Sequence, residues 1–245
     1  MPPRTKPEVS ILVPAQNEAG NISILLPEIA RCMENYTYEI IVVDDASTDA
    51  TAQEVQSLKS AIPTLRLLQH NTAGGKSAAL FTAAQAARYS LCLMLDGDGQ
   101  NDPHYLPAML QPLLDDPAIG LVAGQRLKRG KDGILKRYAS KVANAVRSRI
   151  LGDNTRDTAC GLKAVRRDVF LHFTYFETMH RFLPALTSAA GWKVAHINVI
   201  DRPRQHGVSK YGIWDRLAVG LPDLFGVWWL LRRQQRWHEV NAKEF

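Results

Sequence analysis

Residues 39–51 read EIIVVDDASTDAT: an apolar run, two adjacent carboxylates, and then a stretch of Ala, Ser, Thr and Asp. A near-continuous aliphatic run is what a strand shows when helices cover both faces of its sheet. The Ser/Thr cluster that follows suits a helix start, with Ser47 or Thr48 as N-cap of a helix over 48–61. Working outward, the same alternation recurs. Strands are predicted over 8–14, 65–70, 90–95 and 119–124, and helices over 21–33, 76–88 and 103–114, the last with Pro103 in its first turn. Strand and helix alternating at this spacing mean βαβ units, an α/β class and a mostly parallel sheet flanked by helices. In such sheets ligands bind beyond the carboxyl ends of the strands. Four segments, 14–18, 44–49, 96–100 and 125–126, therefore share one rim.

Beyond Arg126 the pattern loosens. A basic helix is predicted over 133–151, a short strand over 160–165, a helix over 181–190, and a strand over 193–200 followed by the polar loop DRPRQHGVSKYG. The Leu-, Trp- and Arg-rich end, 213–237, forms an amphipathic segment. With no linker and no repeat, the reading is a catalytic domain over 1–212 and an appended helical segment over 213–245.

A chain of 245 residues with 46% apolar residues can bury a sizeable core without disulfides, and Cys32, Cys92 and Cys160 read as small buried hydrophobes of a reducing compartment. MPPRTKPEVS has no apolar h-region, so no secretory signal is expected, and no apolar run approaches the roughly 20 residues that span a bilayer. The net charge of +6 is uneven: nine Lys/Arg and one acid, Asp132, fall between Arg126 and Arg149. Such a block points to an anionic partner, a phosphate-bearing substrate or an acidic lipid surface. No DNA- or RNA-reading motif accompanies it, so nucleic acid is not expected as a partner.

The chemistry centres on LMLDGDGQNDP, residues 93–103. Asp96 and Asp98, two residues apart after a hydrophobic strand, can face the same side, and Gln100 follows at the same interval. These hard oxygens suit Mg²⁺ or Mn²⁺, which take one or two carboxylates and complete their shell with water and substrate phosphates. Gly97 and Gly99 allow the backbone to bend and a diphosphate to approach. Asp44, ending the second strand, stands where nucleotide hydroxyls or base donors are accepted, while Asp45 and Asp49 shape the turn and the helix start. The first strand ends in VPAQNEAGN without G-x-G-x-x-G, which argues against a dinucleotide enzyme. GGKS at 74–77 imitates the end of a phosphate loop, but the required first glycine would be residue 70, which is His70.

VPAQNE, VVDDASTDAT, GGKSAAL and DGDGQ, in this order, resemble family 2 glycosyltransferases of the GT-A fold. DTACGLKAVRR (157–167), MHRFLPAL (179–186) and PRQHGVSKYG (203–212) are similar to the polyprenol-phosphate branch, which includes the dolichol-phosphate mannosyltransferases. The resemblance implies a nucleoside pocket lined by Pro14, Gln16, Glu18, Val42 and Asp44. It implies that Asp96, Gly97, Asp98 and Gln100 hold metal and donor phosphates. Arg126 would sit by the sugar and the acceptor phosphate, Arg204 and Lys210 would close over the diphosphate, and His180 would touch the acceptor. Gln16 stands where many relatives carry an aromatic residue, which leaves guanine and uracil both open.

The expected reaction is an inverting transfer from GDP-mannose or a UDP-sugar to a polyprenyl or dolichyl phosphate, with Mg²⁺ or Mn²⁺ as cofactor. A lipid monophosphate, with a second pKa of about 6, is already anionic at neutral pH and needs no general base. Catalysis then rests on Asp98, Arg126, Arg204 and Lys210, with Lys128, Arg129, Lys136 and Arg137 joining Arg126 and His180 at the acceptor phosphate. Trp214, Phe225, Trp228, Trp229 and Trp237 among leucines and arginines suit a helix lying in a membrane interface, or one packed on the core or on a membrane protein. A peripheral site on the cytoplasmic membrane face is expected. The alternatives are transfer to a saccharide hydroxyl and an inactive nucleotide-sugar-binding scaffold.

Overall fold

The computed structural model describes residues 6–127, 147–153, 155–203 and 213–233, the last stretch in its side chains only from residue 222. In chain order the first half comprises β1 (Glu8–Ala15), α1 (Ile22–Cys32), β2 (Thr37–Asp44), α2 (Thr51–Leu58), β3 (Leu65–Gln69), α3 (Gly75–Ala86) and β4 (Leu91–Met94). A 3-10 turn (Pro103–Tyr105) leads into α4 (Leu106–Asp115) and β5 (Ile119–Arg126). Then come β6 (Lys163–Arg166), α5 (Arg167–His172), a second 3-10 turn (Met179–Arg181), α6 (Leu183–Ala189), β7 (Lys193–Val199) and α7 (Ile213–Arg233). Of the basic helix expected over 133–151, only residues 147–151 lie among those described, and they are helical.

The seven strands form one sheet in the order β3-β2-β1-β4-β6-β5-β7. Pairings are parallel except those of β6, which runs antiparallel to both β4 and β5. The β-α alternation in the sequence anticipates the parallel strands; the reversal of β6, a four-residue strand reading KAVR, has no comparable signal.

Alternate side chains leave the sheet on opposite faces, and each face has its own core. Val9, Ile11 and Val13 of β1, Ile40 and Val42 of β2, and Leu93 of β4 pack with α1 and α4. Leu12, Ile41, Val43, Cys92 and Met94, the intervening residues, pack with α3, α5 and α6. This two-sided burial is why the strands read as unbroken aliphatic runs. On the second face α3 presents Ala79, Ala83 and Ala84. The cysteines are free: Cys92 and Cys160 are buried and Cys32 is half-buried. Burial pushes the Cys92 thiol up to about 12, so it behaves as a small hydrophobe.

The start of α2 differs from expectation. Its N-cap position is Ala50, and the side chain that serves the helix start is Asp49, which accepts from Thr51 N at 2.9 Å. Ser47 and Thr48 instead reach across to the loop after β1.

Phe170, fully buried on α5 and edge-on to Phe81 with ring centroids 6.0 Å apart, ties α5 to α3. Phe170→Ala is expected to lower unfolding free energy by about 3–5 kcal/mol, measured by denaturant titration, because the cavity left cannot fully collapse.

Candidate functional site

The loops after β1 and β2 are joined rung by rung. Asp45 N donates to Ala15 O at 2.8 Å, and Gln16 Nε2 donates to Asp45 O at 3.0 Å. Asn17 N donates to Ser47 Oγ at 2.9 Å while Asn17 Oδ1 accepts from Thr48 N at 2.8 Å. Glu18 N donates to Thr51 Oγ1, Ala19 N to Asp49, and Gly20 N to Glu54. Asn17 and Ala46 sit at positive φ, +56° each, which tightens both turns.

Asp45 carries this rigidity into the next loop. Its carboxylate accepts from Gly74 N at 2.8 Å and Gly75 N at 2.7 Å and lies 2.7 Å from His70 Nδ1. Burial alone would raise its pKa; the Gly74 and Gly75 N–H groups and the His70 ring outweigh that and hold it below the usual carboxylate value. These contacts also explain why GGKS is no phosphate loop: its leading amides are spent on an internal carboxylate.

Asp44, also buried, accepts from Ser47 N at 3.0 Å and Gln69 Nε2 at 3.3 Å. Pro14 is half-buried, and its carbonyl accepts from Gly97 N at 3.3 Å, so the β1 and β4 ends meet directly. Val42 is fully buried, and its side chain packs in the first core.

At the end of β4, Asp96 N donates to Asn101 Oδ1 at 3.0 Å and Asp98 Oδ1 accepts from Gln100 N at 3.1 Å. A Cβ at Gly97 would lie a tight 3.0 Å from Pro14 O, and Gly99 has φ of +71°. Asp96 Oδ1 is enclosed and lies in ion-pair contact with Lys76 Nζ from the first turn of α3. Among the described residues no three His, Cys, Asp or Glu side chains converge into a closed metal cage. A divalent ion held by Asp96, Asp98 and Gln100 would have to complete its shell with substrate oxygens and water. An enclosed carboxylate oxygen with a cation already against it is the observation that supports such an ion.

Beneath Asp96 lies the 157–163 segment. A Cβ on Gly161 would fall inside contact distance of Asp96 Oδ2 and 2.6 Å from Asn101 Oδ1. Lys163, only 3% exposed, donates to the carbonyls of Thr158 and Cys160 and so fixes this turn. Burial pushes its pKa down to about 8, with Lys76 adding to the effect and Asp96 and Asp157 opposing it.

Arg126 is clamped rather than open. Its Nε and Nη2 grip Asp157 at 2.6 and 3.0 Å, and Nη1 reaches Asp201 at 3.2 Å. Burial works against the charge, but Asp157 and then Asp201 outweigh it and raise its pKa above the ordinary arginine value. Asp201 is itself pushed up by burial, which Arg126 and Asn101 offset only in part. Next to it, Arg202 N donates to Gln100 O at 2.8 Å, and its guanidinium bridges Glu28 and Asp102. The stem of the R-x-x-G-x-S-K segment is thus fastened to the acidic motif. Arg204 and Lys210 themselves lie outside the described residues, as do Lys128, Arg129, Lys136 and Arg137.

His180 approaches the site from the other side. Its Nδ1 is 2.7 Å from Ser77 Oγ, which also accepts from His180 N at 3.3 Å. Burial, then the charges of Lys76, Lys163 and Arg181, hold its pKa well below the usual histidine value, so the ring is neutral at pH 7. The contiguous part of α7 docks nearby: Thr178 Oγ1 donates to Asp223 at 2.6 Å, and Val227 is buried in the second core. The opposite face exposes Phe225 (66%) and Trp229 (57%), followed by exposed Arg232 and Arg233, with the Arg232 guanidinium over the Trp228 ring. No helix among the described residues is long and apolar enough to cross a membrane.

Five residues of this constellation escape a reading of the sequence alone: Lys76, Asp157, Gly161, Lys163 and Asp201. Four of them stand within motifs already noticed, GGKS and DTACGLK, whose roles only three-dimensional contacts define.

Two variants test the architecture. Asp45→Ala is expected to cost about 1.5–3 kcal/mol at pH 7, the worth of hydrogen bonds to a charged group. Because the folded pKa lies below the unfolded one, that stabilisation is complete above about pH 4 and is lost as pH falls through the folded value. Wild-type and variant unfolding curves should therefore converge in acid. Gly161→Ala is expected to displace Asp96 and cost about 1–3 kcal/mol, read by thermal unfolding and by a crystal structure of the variant.

Residues 10–173 match the glycosyl transferase family 2 profile. Dodecaprenyl-phosphate galacturonate synthase of Rhizobium johnstonii is 34% identical over 235 residues, covering 94% of this chain and 69% of its own length. Undecaprenyl-phosphate 4-deoxy-4-formamido-L-arabinose transferase of Pseudomonas fluorescens is 31% identical over 208 residues, or 83% of this chain but only 60% of its own length. Among solved structures, Mycobacterium tuberculosis glucosyl-3-phosphoglycerate synthase, in complex with Mn²⁺, UDP-glucose and phosphoglyceric acid, superposes with a TM-score of 0.67. That match is at 20% identity over 90% of this chain and 80% of the other, a likeness of fold. With its mostly parallel sheet, its acid-tipped β4 and these relatives, the chain belongs to glycosyltransferase family 2, in the polyprenyl-phosphate branch, and has the GT-A architecture.

Proposed function

We propose that the protein transfers a sugar from a nucleotide-sugar donor, a UDP-sugar or GDP-mannose, to a polyprenyl phosphate at a membrane surface, inverting the anomeric centre. The observation that carries this reading is the enclosed Asp96 carboxylate at the β4 end, held against a cation between the welded β1/β2 rim and the 157–163 turn. Two relatives above 30% identity carry dodecaprenyl phosphate and undecaprenyl phosphate in their names, which supports the acceptor class. The structural neighbour crystallised with Mn²⁺ and UDP-glucose supports a divalent ion beside the donor diphosphate.

In this reading Asp44 and the Pro14–Glu18 loop receive the nucleoside, and Asp96, Asp98 and Gln100 hold Mg²⁺ or Mn²⁺. The ion, when bound, supplies positive charge to the departing diphosphate. Arg204 and Lys210, on a segment whose stem is fastened to Gln100 and Asn101, close over the same group. Arg126, neutralised by two carboxylates, braces β5 against the 157 turn and the 201 stem. The acceptor phosphate is received beside it by Lys128, Arg129, Lys136 and Arg137, with neutral His180 as a hydrogen-bonding neighbour. Because the lipid phosphate is already an anion, the protein's work is to align two anions and offset their charge.

The exposed Phe225 and Trp229, one turn apart and followed by Arg232 and Arg233, suit a helix seated in the lipid headgroup region. Its other face, packed on the second core, would keep the catalytic rim at a fixed height above the bilayer. The cytoplasmic face is the side on which nucleotide sugars would meet it.

Incubation with labelled nucleotide sugars, undecaprenyl phosphate and Mn²⁺ should yield a detergent-extractable labelled lipid. Asp98→Ala is expected to lower that yield by about 10²-fold or more, as loss of a group stabilising developing charge does. In parallel, the cognate nucleotide sugar should raise the melting temperature of the wild-type protein only when Mn²⁺ is present. Undiminished lipid product from Asp98→Ala in excess chelator would rule out the metal-assisted mechanism; labelled saccharide in place of lipid would move the acceptor to a hydroxyl.

A further inference from the structure

Lys76 stands against Asp96 in a place that ordinary electrostatics disfavours. It lies in the first turn of α3, where the helix dipole repels a cation. The buried ammonium of Lys163 adds to that repulsion. The backbone leaves Lys76 little choice, because Asp45 pins Gly74 N and Gly75 N immediately before it, and Ser77 immediately after it is held by His180. What makes the position tenable is the Asp96 carboxylate, whose enclosed Oδ1 is in ion-pair contact with this ammonium. Asp96 in turn cannot retreat, since its Oδ2 is packed on Gly161.

We propose that Lys76 is the resident counter-ion of the metal site, a latch that must leave Asp96 before a divalent ion can bind and that moves onto the donor diphosphate when it does. The inference rests on the assignment of Asp96 and Asp98 as metal ligands. Its consequence is order. A free divalent ion competes with Lys76 for one carboxylate oxygen and leaves the displaced ammonium facing a helix N-terminus and Lys163. A diphosphate arriving with the ion gives that ammonium an anion to meet. Metal and nucleotide therefore bind with positive coupling, and by linkage each tightens the other by the same factor. The latch also shields the paired acids from binding metal in the absence of donor.

The test measures Mn²⁺ binding by electron paramagnetic resonance of the free ion, with and without UDP or GDP, in wild type, Lys76→Met, Lys76→Arg and Asp96→Asn. Wild type should bind Mn²⁺ weakly alone and about tenfold or more tightly with the matching nucleotide, within the usual range of coupling between sites. Lys76→Met, which keeps the apolar stem, should bind Mn²⁺ alone about tenfold more tightly and lose most of the nucleotide-induced gain. Lys76→Arg should retain the wild-type pattern. Unchanged Mn²⁺ affinity in Lys76→Met, while Asp96→Asn loses binding, overturns the latch and leaves the metal site standing. Mn²⁺ binding to none of the proteins, with or without nucleotide, overturns the metal site and the latch together. Thermal unfolding of each variant without ligand confirms that the comparison is made between folded proteins.

Discussion

A buried carboxylate that belongs to no substrate holds the working edge of this protein together. Asp45 receives the first amides of α3, faces the His70 ring, and through its own backbone is bound to Ala15 and Gln16. Three consecutive βα crossings thereby share one anchor. Loops are ordinarily the mobile part of an α/β unit; here those after β1, β2 and β3 are hydrogen-bonded to one another. A nucleotide site needs such stiffness, because contacts set about an ångström wrong lose much of their value.

On the other half of the rim the governing constraint is charge. Asp96, Asp98, Asp157 and Asp201 gather near Lys76, Lys163, Arg126 and Arg202, and most of these groups are at least half-buried. Removing ions from water is expensive unless they are paired and hydrogen-bonded, and the pairings seen are near-complete. Arg126 engages two acids, Arg202 engages two more, and Lys163 rests on two carbonyls. Lys76 and Asp96 form the remaining pair, an ion pair on an enclosed carboxylate oxygen at the end of β4.

The parts legible in the sequence were those with short-range signals. Aliphatic runs located β1, β2 and β4 and the shared rim, with acids closing the runs of β2 and β4. What escaped was set by long-range partnership. Asp157 and Asp201 lie 31 and 75 residues from Arg126, and nothing near either of them signals the clamp. Lys76 sat in a motif dismissed as a failed phosphate loop, correctly, but its side chain answers to Asp96 rather than to that motif. Strand alternation buries the Val42 side chain with Ile40 in the first core. Asp49 took the helix start from Ser47 and Thr48 because those hydroxyl residues were claimed by Asn17 across the turn.

The reversed strand β6 has an outcome that reaches past topology. In a wholly parallel sheet every strand exits toward the substrate side, and the segments entering strands lie at the far end. Turning one strand around brings an entry segment, 155–162, up among the exits of β4 and β5. The rim is thereby supplied by chain of both polarities, and the approach to β6 is set independently of the turns that follow β1, β2 and β3.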